Sequence, residues 1–322
     1  MESTRCTGFR PKVSVIVAVY RAEAFIERCA RSLFAQTLDS IEFLFIDDCS
    51  PDDSITVLKR VLDLYPLRKS QTRIIKMPEN SGQAKVRFRG IREARGEYIV
   101  HCDSDDWVDN ELYEALYNKA KKENADIVAH PFIIADGSEN RQLPLFPFAD
   151  LNHISTKLSD WENEGSLCNK LIRSELFMED ITFPIYNFGE DMCIVYQLIY
   201  YAKKVSIVNG LFYYIYCNDS SITRARGENE IFRNFQQGCY NCRVVEQFYL
   251  QKKSIDDDTR KALKRLKYSK RDLLRPLVAK DKYHKIWCNT FPEIDKGLLV
   301  ESAFTVKEKL RSIVIRYKLL PL

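Results

Sequence analysis

Tyr98-Ile99-Val100-His101-Cys102-Asp103-Ser104-Asp105-Asp106 changes character within nine residues. A run of strand formers stops at Asp103 and gives way to three carboxylates in four positions. The first part reads as a strand buried on both faces, the second as the loop at its carboxyl end. Three similar runs precede it. Val13 to Val19 is continuous and β-branched, Ile41 to Ile46 closes on Asp47-Asp48-Cys49-Ser50-Pro51, and Arg73 to Lys76 is a short third strand. Helical spacing fills the gaps. Ala22 to Gln36 puts Phe25, Ile26, Cys29, Leu33 and Phe34 on one face. Ser54 to about Tyr65 follows a cap at Asp52 or Asp53, and a third helix runs to Ala94 before Gly96. The alternation predicts an α/β fold, a Rossmann-like, mostly parallel sheet with right-handed crossovers and flanking helices. Ligands of such sheets bind beyond the carboxyl ends of the strands. Tyr20-Arg21, Asp47-Asp48 and Asp103-Ser104-Asp105-Asp106 stand there, so the acidic residues converge on one edge.

Downstream, Leu112 to Ile134 reads as a helix and then a strand at Ile127 to His130, and residues 136–165 read as irregular. Phe188-Gly189-Glu190-Asp191 opens an apolar helix through Tyr201, and a strand follows near Val205 to Val208. From about Glu228 the pattern is helical and basic. The expected organisation is a domain over 1–225, split near 110 into halves of 11–110 and 111–225, and a C-terminal helical extension over 226–322. The net charge of +4 conceals a division. Residues 1–250 hold 30 Lys/Arg against 36 Asp/Glu, and residues 251–322 hold 19 against 9. The extension therefore carries a balance of +10, which suits an anionic lipid or polymer partner, or a solvated helical face. Within it, residues 303–320 align Phe304, Val306, Leu310, Ile313, Val314, Tyr317 and Leu320 on one helical side, amid Lys307, Lys309, Arg311, Arg316 and Lys318. A basic amphipathic helix of that kind can lie on an anionic membrane surface or pack on its own protein.

Composition removes several classes. With 322 residues, 45% hydrophobic and 29% charged, the chain can bury a full core, and disorder is excluded. Its ten cysteines lack framework spacing and several sit in apolar runs, which fits buried thiols in a reducing compartment. Cys239 and Cys242 form a lone Cys-x-x-Cys inside a helical stretch and read as packing. His101, His130, His153 and His284 show no ligand spacing. Met1 to Lys12 is polar, with no apolar signal core, and no window reaches the length of a membrane span. A cytoplasmic enzyme is expected, at most peripheral on the inner face of the membrane, with no nucleic-acid partner.

Clustered carboxylates raise one another's pKa unless a cation neutralises them, and a divalent ion gains oxygen ligands in return. Asp103 to Asp106 is thus a candidate Mg²⁺ or Mn²⁺ seat, strengthened by Asp47-Asp48 on a neighbouring strand. Val13 to Tyr20, Ser32-Leu33-Phe34-Ala35-Gln36-Thr37, Phe45 to Ser50, Asn80-Ser81-Gly82, Arg87, Gly90, Gly96-Glu97-Tyr98-Ile99 and Asp103 to Asp106 come in an order that resembles glycosyltransferase family 2, whose members share the GT-A fold. Glu164 to Leu171 and Gly189-Glu190-Asp191 resemble the acceptor half of its bacterial members. The resemblance covers about residues 11–225.

It implies a metal-dependent, inverting transfer of a sugar from a UDP-sugar to an acceptor hydroxyl, in surface polysaccharide or glycoconjugate synthesis. Asp48 is implied to accept from the uracil ring, within a donor edge of Ala18, Tyr20, Asp47, Asp48, Arg87, Asp103 and Ser104. Asp103 is implied to meet the ribose or the metal shell, and Asp105 to bind the metal at the diphosphate. Asp191 is implied to be the base, with Glu190 as its alternative. Each has a plainer reading. Asp47 can brace its turn, Arg87 can fold back onto the acidic cluster, Glu190 and Asp191 can be a helix-opening pair, and Lys170 can be solvated. Three positions depart from the family pattern: Ala18 stands for Pro, Arg21 for Asn, and Phe88 for the Asn after the family's Arg. Competing readings are a nucleotidyltransferase, disfavoured because Tyr20-Arg21-Ala22-Glu23 lacks the glycine-rich loop that chemistry uses, and an inactive membrane-bound module.

Overall fold

A computed structural model describes residues 11–135, 140–143, 165–217, 227–252, 255–299, 301 and 304–319. The 136–165 interval read as irregular, His153 and Leu320 therefore lie wholly or largely outside the described residues. Contacts divide the chain into two units. The first joins Met1–Ala149, Ser166–Ile181 and Leu198–Asn218; the second joins Asp150–Gly165, Thr182–Gln197 and Asp219–Leu322.

The first unit is built on β1 (Val13–Val19), α1 (Ile26–Phe34), β2 (Ile41–Asp47), α2 (Ser54–Asp63), β3 (Thr72–Lys76), α3 (Gln83–Glu93) and β4 (Tyr98–Asp103), in the order the hydrophobic runs predict. The strands of β1 and β2 bury nearly every residue because helices cover both faces of the sheet. Gly90 allows α3 to lie close on β1, since a Cβ there would stand 2.4 Å from the Ile16 side chain. Helix α1 starts at Ile26, four residues later than expected. Residues 20–25 instead form a turn tied to the 50–54 loop, where Arg21, Ala22 and Glu23 N–H groups donate to Ser50 Oγ, Ser54 Oγ and Asp52.

After β4 come β5 (Trp107–Val108), α4 (Leu112–Glu123), β6 (Ile127–Ala129), β7 (Phe132–Ala135), β8 (Asn140–Leu143), β9 (Lys170–Arg173), α5 (Glu190–Tyr201), β10 (Val205–Ile207) and β11 (Tyr213–Tyr216). The main sheet has the order β10-β6-β9-β4-β1-β2-β3. Its pairs are parallel except where β9 enters antiparallel between β4 and β6. A second sheet, β5-β11-β7-β8, was not anticipated. Its strands span two to four residues, too short for a period-two signal.

Among the described residues the second unit holds the start of α5 and the helices α6 (Glu228–Gln251), α7 (Asp257–Asp272), α8 (Asp281–Asn289) and α9 (Val306–Tyr317). Much of the extension's positive charge is met internally. Arg271 is fully buried, stacked 4.1 Å from the Trp287 ring centre and bidentate to Asp295 at 2.8 and 3.1 Å. Lys267 meets Glu246 and Glu293, and Arg311 meets Asp272. Among the described residues, no helix is long and apolar enough to cross a membrane.

Candidate active site at the carboxyl edge of the main sheet

The chain leaves β1 for β2 and β3 on one side, then returns to β4 on the other. Strand order reverses between β1 and β4, and the crevice at such a reversal is where open α/β sheets bind ligands. Register brings the predicted residues level: Ala18 pairs with Asp103 across β1 and β4, and Val19 with Asp47 across β1 and β2. Ala18 is half-buried and Tyr20 exposed at this rim.

The acidic residues divide into two kinds. Asp47 is buried and accepts the Ser50 N–H at 2.8 Å, so it braces its turn. Asp48 is buried too, and accepts the Ser81 and Gly82 N–H groups at 2.7 and 2.9 Å. It thereby caps the entry to α3, where Gly82 takes a φ of 82° that suits glycine. Asp106 is sealed in, with the Tyr216 N–H and the Tyr213 hydroxyl both donating to it at 2.7 Å. Burial, with the charges of Asp103 and Asp105 added, pushes its carboxyl well above the usual range. Asp103, Ser104 and Asp105 are only half-buried and stay open.

Arg87 folds back onto the cluster. Its Nη2 lies 2.8 Å from Asp103 Oδ1, with the Arg87 side chain 2% exposed and that of Asp103 34%. Gln83 Nε2 reaches the same oxygen at 3.4 Å, and the Cys168 thiol donates to Asp103 Oδ2 at 3.5 Å. Burial, then the Asp103 charge, raises the Cys168 pKa well above normal, so it remains a thiol. Phe88 lies under Arg92 on its own helix, the guanidinium 5.8 Å from the ring centre.

Four residues from the second sheet and α1 went unnoticed in the sequence. The Tyr213 hydroxyl accepts the Asp103 N–H at 2.9 Å while donating to Asp106, so one phenol holds both ends of the acidic run. Arg28 donates to the Asp105 carbonyl at 2.9 Å, its guanidinium 3.7 Å from the Trp107 ring centre and 4.7 Å from that of Tyr216. No spacing rule links residues 28, 107, 213 and 216; only the aromatic density of Tyr213-Tyr214-Ile215-Tyr216 hinted at them.

Lys170, read as solvated, is fully buried, with its ammonium donating to Ser166 O at 2.9 Å and Asn169 Oδ1 at 2.7 Å. Glu190 and Asp191 open α5 within the second unit, after Gly189 at φ 77°. Glu190 is 5% exposed and Asp191 half-buried. Among the described residues no three His, Cys, Asp or Glu side chains converge as a ready-made metal cage. The open pair Asp103 and Asp105 nevertheless fits a hard divalent cation, which takes one or two carboxylates and completes its shell from phosphates and water.

An α/β sheet with an acidic edge at its switch point is the setting of a nucleotide-binding site. The glycosyl transferase family 2 model matches residues 14–179, just over half the chain, and the chain belongs to that family. It is 32% identical over 216 residues to the cholesterol galactosyltransferase of Borreliella burgdorferi, covering 63% of this chain and 59% of that one. It is 31% identical over 209 residues to the poly(ribitol-phosphate) beta-glucosyltransferase of Bacillus spizizenii, covering 63% and 32%. The chain thus spans less than two thirds of the length of either relative. Among solved structures, S. aureus TarS 1-349 in complex with UDP superposes with a TM-score of 0.71 at 19% identity, covering 95% of this chain and 87% of that one. The mannosyltransferase PcManGT of Pyrobaculum calidifontis, in complex with GDP-Man and Mn²⁺, gives 0.56 at 13% identity over 97% and 81%. These likenesses establish a GT-A fold and a family 2 glycosyltransferase domain.

Proposed function

We propose that this glycosyltransferase uses a UDP-sugar and, with inversion, glycosylates a hydroxyl of a surface polysaccharide or lipid-linked glycan at the cytoplasmic side. The main support is the split among the carboxylates: at the switch point Asp103 and Asp105 are half-exposed, beside a buried Arg87, while Asp47, Asp48 and Asp106 are buried. The nucleotide lies against Ala18, Tyr20 and Ser104. Asp47 holds the turn, and Asp48 meets the uracil with the acceptor capacity that its two amide bonds leave over. Asp103 and Asp105 hold Mg²⁺ or Mn²⁺, which when bound supplies positive charge to a departing diphosphate. Arg87 fixes the rotamer of Asp103 and offsets part of the cluster's charge. Asp191 takes the proton of the acceptor hydroxyl. Between the two helix-opening acids it is the better base because it keeps water contact, whereas Glu190 is sealed.

Thermal stabilisation by UDP, with and without a chelator, tests the donor reading. UDP with Mn²⁺ should raise the melting temperature, and both the chelator and Asp105→Ala should abolish the rise. Equal stabilisation in chelator would remove the metal role, and no nucleotide effect under any condition would remove the donor assignment.

A further inference from the structure

Helix α9 leaves an apolar row in water. At about 100° per residue, Val306, Leu310, Ile313 and Tyr317 fall along one line and Ser312 and Ile315 on the opposite side. Ser312 and Ile315 are buried, whereas Val306, Leu310 and Tyr317 are 72%, 58% and 67% exposed, as is Leu319 at 59% just beyond the helix. The stripe read from the sequence is therefore not the packing face, and its expected member Phe304 is buried against Tyr268 instead. Cations flank the row, with Lys307 and Lys318 on one side and Lys309 on the other; Lys318 also meets the exposed Asp281, and Arg316 beyond Lys309 is paired with Asp295. On the Lys307 side lies a cavity of about 610 Å³. Arg265, Arg275, Lys307 and Arg311 line it against Asp272 and Glu308, four positive charges to two negative.

We infer that this face docks on an anionic bilayer, with the apolar row in the interfacial layer and the cavity taking a lipid phosphate at headgroup depth. A helix lying on a membrane needs apolar side chains on one line, long cations beside them that reach the headgroups, and aromatic residues near the boundary. α9 has all three, and the cavity's excess of two positive charges selects anionic lipid. A second copy of this chain fits less well, because it would set the same cationic flanks against each other. The inference rests on this surface alone, so it stands or falls separately from the donor chemistry.

Flotation of the full chain with phosphatidylcholine vesicles, with and without phosphatidylglycerol, reads the bound fraction. Partition onto anionic vesicles should exceed that onto neutral ones by about tenfold or more at low salt. Val306→Asp with Leu310→Asp should lower it about tenfold with an unchanged melting temperature, since both side chains are in water. Arg275→Glu with Lys307→Glu should erase the preference for anionic lipid. Absence of wild-type binding, or equal binding by wild type and the aspartate variant, overturns the inference. A wild-type dimer that the aspartate variant converts to monomer also overturns it, because a second copy then covers the row.

Discussion

The Arg87–Asp103 pair couples the stability of the first unit to its site, and the coupling is lopsided. Arg87 is 2% exposed and Asp103 34%. Asp103→Asn removes a negative charge 2.8 Å from a guanidinium that water cannot reach, whereas Arg87→Met leaves a carboxylate that water still reaches. Breaking a buried pair by removing one charge costs about 3–5 kcal/mol. The exposure of Asp103 screens part of that, giving about 2–3 kcal/mol for Asp103→Asn. Arg87→Met should cost about 1 kcal/mol, and Asp105→Asn, on an open side chain, about 0.5 kcal/mol or less. A folding unit of this size loses about 2–4 °C per kcal/mol, so Asp103→Asn should melt about 5–10 °C lower than wild type. Differential scanning fluorimetry in chelator, without nucleotide, reads these shifts free of ligand effects. UDP titration with Mn²⁺ should then show Asp103→Asn and Asp105→Asn both impaired. Equal melting temperatures for the two variants would refute the argument, as would a larger loss in Arg87→Met than in Asp103→Asn.

Arg21 sits at φ 51°, a left-handed conformation that Asn adopts more easily than a long side chain, so Arg21→Asn should stabilise by about 0.5 kcal/mol; a lower melting temperature would show that its contact with the Tyr20 ring outweighs the backbone strain. Asp191→Asn keeps shape without basicity and should lower turnover about 10²-fold with UDP affinity intact; near-normal turnover in it, with loss in Glu190→Gln, moves the base to Glu190. His130 is buried, and burial lowers its pKa to about 4 from the usual 6.5. Its neutral form is held in the fold, so stability is full above about pH 6.5 and is lost as pH falls towards 4, by up to about 3 kcal/mol. Chemical denaturation of His130→Gln between pH 7 and 4 should show a flatter slope than wild type, and an unchanged slope assigns the acid loss elsewhere.

The parallel core was legible because its strands are mostly apolar and separated by amphipathic helices, so periodicity and burial agree. β9 was not, since Lys170-Leu171-Ile172-Arg173 is only four residues, with a buried lysine at one end and a half-buried arginine at the other. Its antiparallel entry into the sheet is set by β4 and β6 rather than by its own pattern. Residues 20–25 misled for another reason: Phe25 and Ile26 carry helical spacing, but Ser50, Asp52 and Ser54 satisfy the backbone of residues 21–23 as a turn. In α9 the periodicity was real, but hydrophobic spacing does not say which side faces the protein. Ion pairs of Arg311 with Asp272 and Arg316 with Asp295 set the helix down on its more polar side.

The same limit governs the acidic edge, where composition shows where carboxylates gather and burial decides what each can do. Asp47, Asp48 and Asp106 are 7%, 4% and 5% exposed, and backbone amides or a phenol occupy their oxygens. A carboxylate so held is expensive to move, which suits it to fixing a loop and unsuits it to exchanging ligands during turnover. Asp103 and Asp105 are the reverse, half in water and tethered through their own backbone. The Asp103 N–H is fixed by Tyr213 and the Asp105 carbonyl by Arg28. Their main chains are thus positioned by groups that do not consume the side-chain oxygens. The arrangement presents two half-exposed carboxylates on a fixed main chain, with Asp103 held by side chains (Arg87, Gln83 and Cys168) rather than by backbone amides, and such positioning suits a site assembled around a diphosphate and a divalent cation. Tyr213 and Arg28 matter to the site through the backbone, since each bonds the main chain of the acidic run rather than the carboxylate of Asp103 or Asp105.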